Sequence, residues 1–93
     1  MLKGATEQLA VLGNTIRLQR KRHKITAVAA AESAGLSRVT WHRIEKGEPS
    51  VSVGAYAAAA TVLGLNLNVV SQKTVHTQPD QELVEGSLFI TFP

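Results

Sequence analysis

The sequence predicts a mainly α-helical domain followed by a short C-terminal β-strand region. Apolar side chains recur every three or four residues between positions 6 and 64, in segments bounded by capping residues and glycines. Several of these segments are rich in alanine, which favours helix. From Leu65 to Val70 the apolar and polar residues alternate instead, a pattern typical of a half-buried strand. The 93 residues are enough for one domain with one modest core.

The first helix is expected to begin at Thr6, whose hydroxyl can cap it, and to end near residues 22–24. Leu9, Leu12 and Ile16 lie on one stripe of this helix, which Arg20 extends. The basic run 20–24 at its end is compatible with a solvated helix C-terminus, where cations complement the helix dipole, and also with contact to a polyanion.

Two shorter helices should follow. Thr26 can cap a helix over residues 27–34, which Gly35 ends by adopting the left-handed conformation. Ser37 can cap the next helix, which runs through Lys46 and is ended by Gly47. Two short helices joined by a tight glycine turn predict a helix-turn-helix over about residues 26–46.

The apolar residues of this motif predict its packing. Ala31 should face the turn, where a small side chain lets the helices approach, and the space between the helices should be filled by Ala30, Ala34, Leu36, Trp41 and Ile44. Trp41 could instead act as a wedge between DNA bases, but its spacing of three residues from Ile44 favours the core.

A fourth helix is predicted after the turn at Pro49. Ser52 can cap this helix, which should extend to about Leu63 and end at Gly64. Its inner stripe is predicted to consist of Tyr56, Ala59, Ala60 and Leu63.

The order of these elements resembles the XRE, or Cro/repressor-like, family of helix-turn-helix regulators. The shared motif residues are Leu12-Gly13, Ile16-Arg17, Arg20, Ala31, Gly35-Leu36-Ser37 and Ile44-Glu45-Lys46-Gly47. The resemblance implies a lambda-repressor-like DNA-binding domain of four to five helices, with an ion pair between Arg17 and Glu45. Many relatives carry Gln where this chain has Ala27, so the contact of that side chain with the DNA backbone must be missing here or supplied elsewhere.

The same resemblance places the DNA interface on the third helix. Base contacts are predicted for side chains on its exposed face, namely Arg38, Val39, Thr40, His42 and Arg43. Phosphate contacts are predicted for Thr26, Ser37, Lys46 and Arg20. Residues 1–47 contain nine Lys and Arg against three Glu, whereas residues 48–93 contain one Lys against four acidic residues. This asymmetry suits a polyanionic partner for the N-terminal half.

The C-terminal residues 65–93 are expected to serve dimerisation or partner binding, after a DNA-binding domain at residues 1–64. The segment Leu65–Val70 resembles the HipB-like antitoxin branch, in which such a strand pairs across the dimer two-fold. The predicted contacts are made by Leu65, Leu67, Val69, Leu88, Ile90 and Phe92. The alternative is a monomer in which residues 65–70 pair with residues 87–92.

These observations predict a cytoplasmic homodimeric repressor that binds a palindromic operator in double-stranded DNA. One alternative is an antitoxin whose apolar tail, with Leu83 and Phe89 among its residues, binds a toxin; another is a helix-turn-helix scaffold that acts mainly through protein partners. We expect no enzyme, metal or cofactor, because His23, His42 and His76 have no recognised catalytic or metal-ligand spacing with the acidic residues. The absence of Cys fits a reducing compartment, and no segment is apolar enough to span a membrane.

Overall fold

A computed structural model describes residues 2–71, which form four α-helices. These are α1 (Lys3–Arg22), α2 (Ala27–Ala34), α3 (Arg38–Glu45) and α4 (Val53–Val62). Helices α2 and α3 form the helix-turn-helix, and α1 and α4 pack against it. None of the helices in the described range is long and apolar enough to cross a membrane.

Three of the predicted N-caps are confirmed. The hydroxyl oxygens of Thr26, Ser37 and Ser52 each accept a hydrogen bond, of 3.0 to 3.1 Å, from the backbone N–H three residues later. Such bonds satisfy donors that would otherwise have no partner at the start of a helix. Gly35 ends α2 with a φ of 71°, as predicted for the left-handed position after a helix.

The predicted start of α1 is wrong. This helix begins at Lys3, and the hydroxyl of Thr6 donates to the carbonyl oxygen of Leu2 from within the first turns instead of capping the helix. Nothing in residues 3–5 terminates a helix, and a threonine side chain can bond to the carbonyl four residues back as readily as it can cap. The C-terminal end agrees with the prediction, because α1 ends at Arg22 and Lys24 turns the chain with a φ of 58°.

The core lies between the four helices and confirms the predicted apolar positions. Its largest members are Trp41, Ile16, Ile44 and Leu63, each with at most 1% of its surface exposed. Around them lie further buried residues of α2 and α4, which are Ala30, Ala31, Tyr56, Ala59 and Ala60. Trp41 is therefore a core residue, and the alternative role as a wedge between bases is wrong.

Two glycines set how closely α1 crosses the end of α3. A Cβ atom on Gly13 would lie 2.5 Å from the carbonyl oxygen of Ile44 and 2.7 Å from the backbone nitrogen of Gly47. A Cβ atom on Gly47 would overlap the backbone of Leu9, and Gly47 also has a φ of 72°. Backbone therefore packs directly on backbone at this crossing, which fixes the position of α3 relative to α1.

After α4, Gly64 adopts a φ of 75° and the N–H of Leu65 donates to the carbonyl oxygen of Ala60, which closes the helix as predicted. Residues 65–71 form no strand in the single chain, although the sequence predicts one there. Leu65 packs on the core of the domain, whereas Val69 is fully exposed. The other half of the predicted pairing, with Leu88, Ile90 and Phe92, lies outside the described residues.

Candidate nucleic-acid interface

Helix α3 separates its side chains into a buried face and an exposed face. Trp41 and Ile44, three residues apart, are completely buried. The exposed face consists of Arg38, Val39, His42, Arg43 and Lys46, all of which were predicted to contact DNA. Val39, with 60% of its surface exposed, adds an apolar side chain to this otherwise polar and cationic face.

The N-termini of α2 and α3 differ in how their hydroxyl groups are used. The Ser37 hydroxyl accepts from the backbone N–H of Thr40 and donates to the Thr40 hydroxyl, so both of its hydrogen-bonding roles are occupied. The Thr26 hydroxyl accepts from the backbone N–H of Ala29, and within residues 2–71 it donates to no acceptor. Thr26 can therefore donate to a phosphate without breaking an existing bond, whereas Ser37 would have to release Thr40.

A hydrogen-bonded ion pair anchors the C-terminal end of α3 to α1. Arg20 donates from Nε to Oε2 of Glu45 at 2.6 Å and from a terminal nitrogen to Oε1 at 3.2 Å. The indole N–H of Trp41 donates to the same Oε2 at 2.7 Å. The two charged side chains are only 14% and 11% exposed, so this bidentate pair is partly shielded from water.

The pKa of Glu45 is determined by opposing effects. Burial is the largest single effect and raises the pKa. The hydrogen bonds from Arg20 and Trp41 and the charges of Arg20 and Arg17 lower the pKa, and together they outweigh burial. The pKa of Glu45 therefore lies below its ordinary value, and the carboxylate is ionised at neutral pH.

The structure corrects two predictions about the arginines of α1. The ion-pair partner of Glu45 is Arg20 and not Arg17, because Arg20 belongs to the stripe of α1 that faces the domain interior. Arg17 acts on Glu45 only through its charge and forms no hydrogen bond or ion pair within the described range. The Arg20 guanidinium also donates to the carbonyl oxygen of Ile25 at 2.9 Å, so it is turned inward and is not placed to contact phosphate.

Sequence reasoning did not single out Glu48, which the structure places beside the exposed face of α3. Its carboxylate oxygen lies 3.9 Å from Nε of Arg43. Its carbonyl oxygen accepts a hydrogen bond of 2.8 Å from the hydroxyl of Tyr56, a side chain that is 2% exposed. Burial, and then the negative charge of Glu48, raise the pKa of Tyr56. The position of Glu48 just after Gly47 was the available signal, since a turn that follows α3 directly must lie close to it.

Comparison with known protein families agrees with this geometry. Residues 11–71 match the sequence profile of a family described as a helix-turn-helix domain, and the match covers about two thirds of the chain. The chain belongs to this helix-turn-helix domain family. No curated protein shows significant similarity to the chain.

The helix-turn-helix match begins at Val11, within α1, and includes all of α2, α3 and α4. It therefore contains both glycines of the helix crossing, the Arg20–Glu45 pair and the exposed face of α3. Membership of this family identifies the chain as a DNA-binding regulator in general terms. The first eight residues of α1, Lys3 to Ala10, precede the matched range.

Proposed function

We propose that this protein is a sequence-specific transcriptional repressor that binds an inverted-repeat operator as a homodimer. The observation that supports this most directly is the exposed face of α3, where cationic and apolar side chains remain uncovered while the opposite face holds the core together. In helix-turn-helix proteins the second helix of the motif enters the major groove, and α3 occupies that place here.

The exposed residues of α3 divide into two proposed roles. Arg38 lies in the first turn and can bond to O6 and N7 of guanine with its guanidinium, while Val39 can contact a thymine methyl group. His42 and Arg43 lie one turn further along and can reach a base edge or a phosphate. Thr40 keeps its proposed base contact through its methyl group and a hydroxyl hydrogen that Ser37 does not use.

Phosphate contacts are proposed for the residues that flank this face. The Thr26 hydroxyl at the start of α2 donates to no acceptor in the described part of the chain, and Lys46 is exposed at the end of α3. Ser37 remains a candidate at the cost of its bond to Thr40. Contacts of this kind set the position of the protein on the duplex without reading the sequence.

The dimer is proposed to form through the residues after α4. Leu67, Val69 and Val70 are exposed apolar residues in a segment that has no partner strand within residues 2–71. Pairing this segment with its copy in a second subunit would cover these side chains and give its backbone groups hydrogen-bond partners. Two recognition helices would then contact half-sites about one helical turn apart, which one helix alone cannot do.

The experiment that tests this function is selection of a preferred duplex from a random library, followed by affinity measurements over a range of salt concentrations. We expect selection of an inverted repeat and a steep loss of affinity as salt increases. Arg38→Ala should cost about 1 to 3 kcal/mol of discrimination at one base pair in each half-site.

Lys3→Ala is the matched control, because it removes one positive charge about 9 to 15 Å along α1 from the residues that cross α3. It should leave the base preference unchanged. If no sequence is enriched and Arg38→Ala behaves like Lys3→Ala, the protein does not read operator sequence, and a scaffold for protein partners becomes the better description.

An antitoxin function is the finer possibility that the C-terminal sequence favours, since residues 78–93 combine acidic and apolar side chains. Replacing Leu88, Ile90 and Phe92 with serine separates the two roles proposed for this segment. If these residues form part of the dimer interface, the variant becomes monomeric and loses operator affinity. If they bind a separate protein, the variant stays dimeric and binds the operator normally.

A further inference from the structure

The backbone around Glu48 is fixed from both sides. Its N–H donates to the carbonyl oxygen of Arg43 at 3.1 Å, and its own carbonyl oxygen accepts from the buried hydroxyl of Tyr56. Before it, Gly47 is packed against α1 with no space for a side chain, and after it Pro49 restricts the backbone. The carboxylate therefore cannot leave the end of α3 by movement of the loop.

Glu48 is also distinct in its surroundings from the other acidic residues of the described range. Glu7 lies on α1 and Glu32 on α2, and the carboxylate of Glu45 is shielded by Arg20. Glu48 remains 39% exposed and forms its ion pair with Arg43, a residue of the proposed DNA-contacting face that is 54% exposed. A negative charge is thus built into the edge of a surface that should attract phosphates.

The atom of Arg43 that Glu48 approaches is Nε, and within residues 2–71 neither terminal amino group of the guanidinium has a hydrogen-bond partner. Those two groups can bond side by side to the acceptors of a guanine while the contact with Glu48 is kept. A phosphate bound by the same two groups would bring its negative charge close to that of Glu48, whereas the guanine acceptors carry no net charge. The geometry thus favours base contact over phosphate contact for this arginine.

We propose that Glu48 is a specificity-determining residue that restrains Arg43 and reduces its binding to DNA phosphates on non-operator sequences. This inference rests on the proposed function. An exposed ion pair of this length contributes little to the free energy of folding. We therefore expect its removal to change DNA affinity and not stability. Replacing Glu48 by Gln should raise affinity for non-operator DNA by about two- to fivefold, as expected for an exposed charge pair. Affinity for the operator should change less, so the ratio of the two affinities falls.

The test is a double-mutant cycle of Glu48→Gln and Arg43→Gln, with dissociation constants measured on the selected operator and on a scrambled duplex of equal length and composition. Glu7→Gln is the matched control, since it makes the same chemical change on α1. We expect Glu48→Gln to lower discrimination, Glu7→Gln to leave it unchanged, and the effect of Glu48→Gln to vanish when Arg43 is already Gln. Thermal unfolding of each variant verifies that all of them are folded.

The possible results separate this inference from the proposed function. If the wild-type protein binds both duplexes equally, the proposed function fails, and the role of Glu48 fails with it. If the wild-type protein discriminates but Glu48→Gln changes both affinities by the same factor, only the inference about Glu48 is overturned. The same holds if its effect persists in the Arg43→Gln background, because Glu48 would then act as a general negative charge.

Discussion

The ion pair between Arg20 and Glu45 gives the sharpest prediction about stability. Arg20→Gln removes two hydrogen bonds to the carboxylate, of 2.6 and 3.2 Å, and one to the carbonyl oxygen of Ile25. Each hydrogen bond to a charged group contributes about 1.5 to 3 kcal/mol. In the variant the Glu45 carboxylate keeps little more than its bond from Trp41, and a partly buried carboxylate with so few partners is destabilising. Because the pair is partly shielded and Gln can restore one bond, we expect a loss of about 3 kcal/mol in the free energy of unfolding.

The measurement is thermal or urea unfolding of the purified variants. A loss of about 3 kcal/mol would lower Tm by about 12 to 24 °C in a domain of this size. Arg17→Gln is the matched control, because Arg17 lies one turn earlier on α1 and makes no hydrogen bond within the part of the chain that the structure describes. Its cost should stay below about 0.5 kcal/mol.

Double-mutant cycles with Glu45→Gln complete the test. The coupling energy between Arg20 and Glu45 should be about 2 kcal/mol, and that between Arg17 and Glu45 below about 0.5 kcal/mol. Equal couplings, or a larger one for Arg17, would refute the assignment of Arg20 as the partner. The cycle cancels contributions to the unfolded state that each single substitution makes alone.

Three further predictions follow from the same architecture. Because the pKa of Glu45 is lowered on folding, its ionised carboxylate stabilises the protein above the ordinary carboxyl pKa of 4.5, and this contribution is lost as pH falls through the lowered value. The stability advantage of the wild-type protein over Glu45→Gln, measured by urea unfolding, should therefore shrink as pH is lowered below 4.5. Gly13→Ala should destabilise the fold by about 2 to 3 kcal/mol in urea unfolding, since its Cβ would lie 2.5 Å from a carbonyl oxygen of α3. The control is Gly4→Ala, where a Cβ would have no atom within 4 Å, and it should stabilise the fold by up to about 1 kcal/mol. Lys24→Gly should raise Tm, because glycine adopts the left-handed backbone at φ 58° without strain, a gain of about 0.5 to 1 kcal/mol. The control Arg22→Gly, inside α1, should lower Tm. A lower Tm for both variants would contradict the idea of strain at Lys24.

The parts of the fold that sequence reasoning predicted correctly are those determined by neighbouring residues. Thr26, Ser37 and Ser52 cap helices because a hydroxyl reaches the N–H three residues away, wherever those helices are later packed. Gly35 ends α2 for an equally local reason. The start of α1 was missed because Thr6 is a residue type that often caps helices, whereas the true start at Lys3 has no side-chain cap to mark it.

Choosing between Arg17 and Arg20 required information that is not local. Both belong to the same motif, and which of them meets Glu45 depends on how α1 lies across α3. That position is set by Gly13 and Gly47, whose missing side chains let the two backbones touch. The stripe of α1 that ends at Arg20 already indicated which arginine faces inward, whereas the motif comparison favoured the other.

The structure also separates the residues that hold α3 from those proposed to read DNA. Its C-terminal end is fixed by Gly47 and Glu45, while its first turn is capped by Ser37 and leaves Arg38 exposed. Substitutions at the fixed end should therefore change the orientation of the whole helix and weaken binding to every duplex by a similar factor. Arg38→Ala should instead alter the preference at one base pair and leave stability unchanged. Measuring Glu45→Gln and Arg38→Ala on the same panel of single-base operator variants distinguishes these outcomes, and a base-specific effect of Glu45→Gln would show that anchoring and reading are not separate.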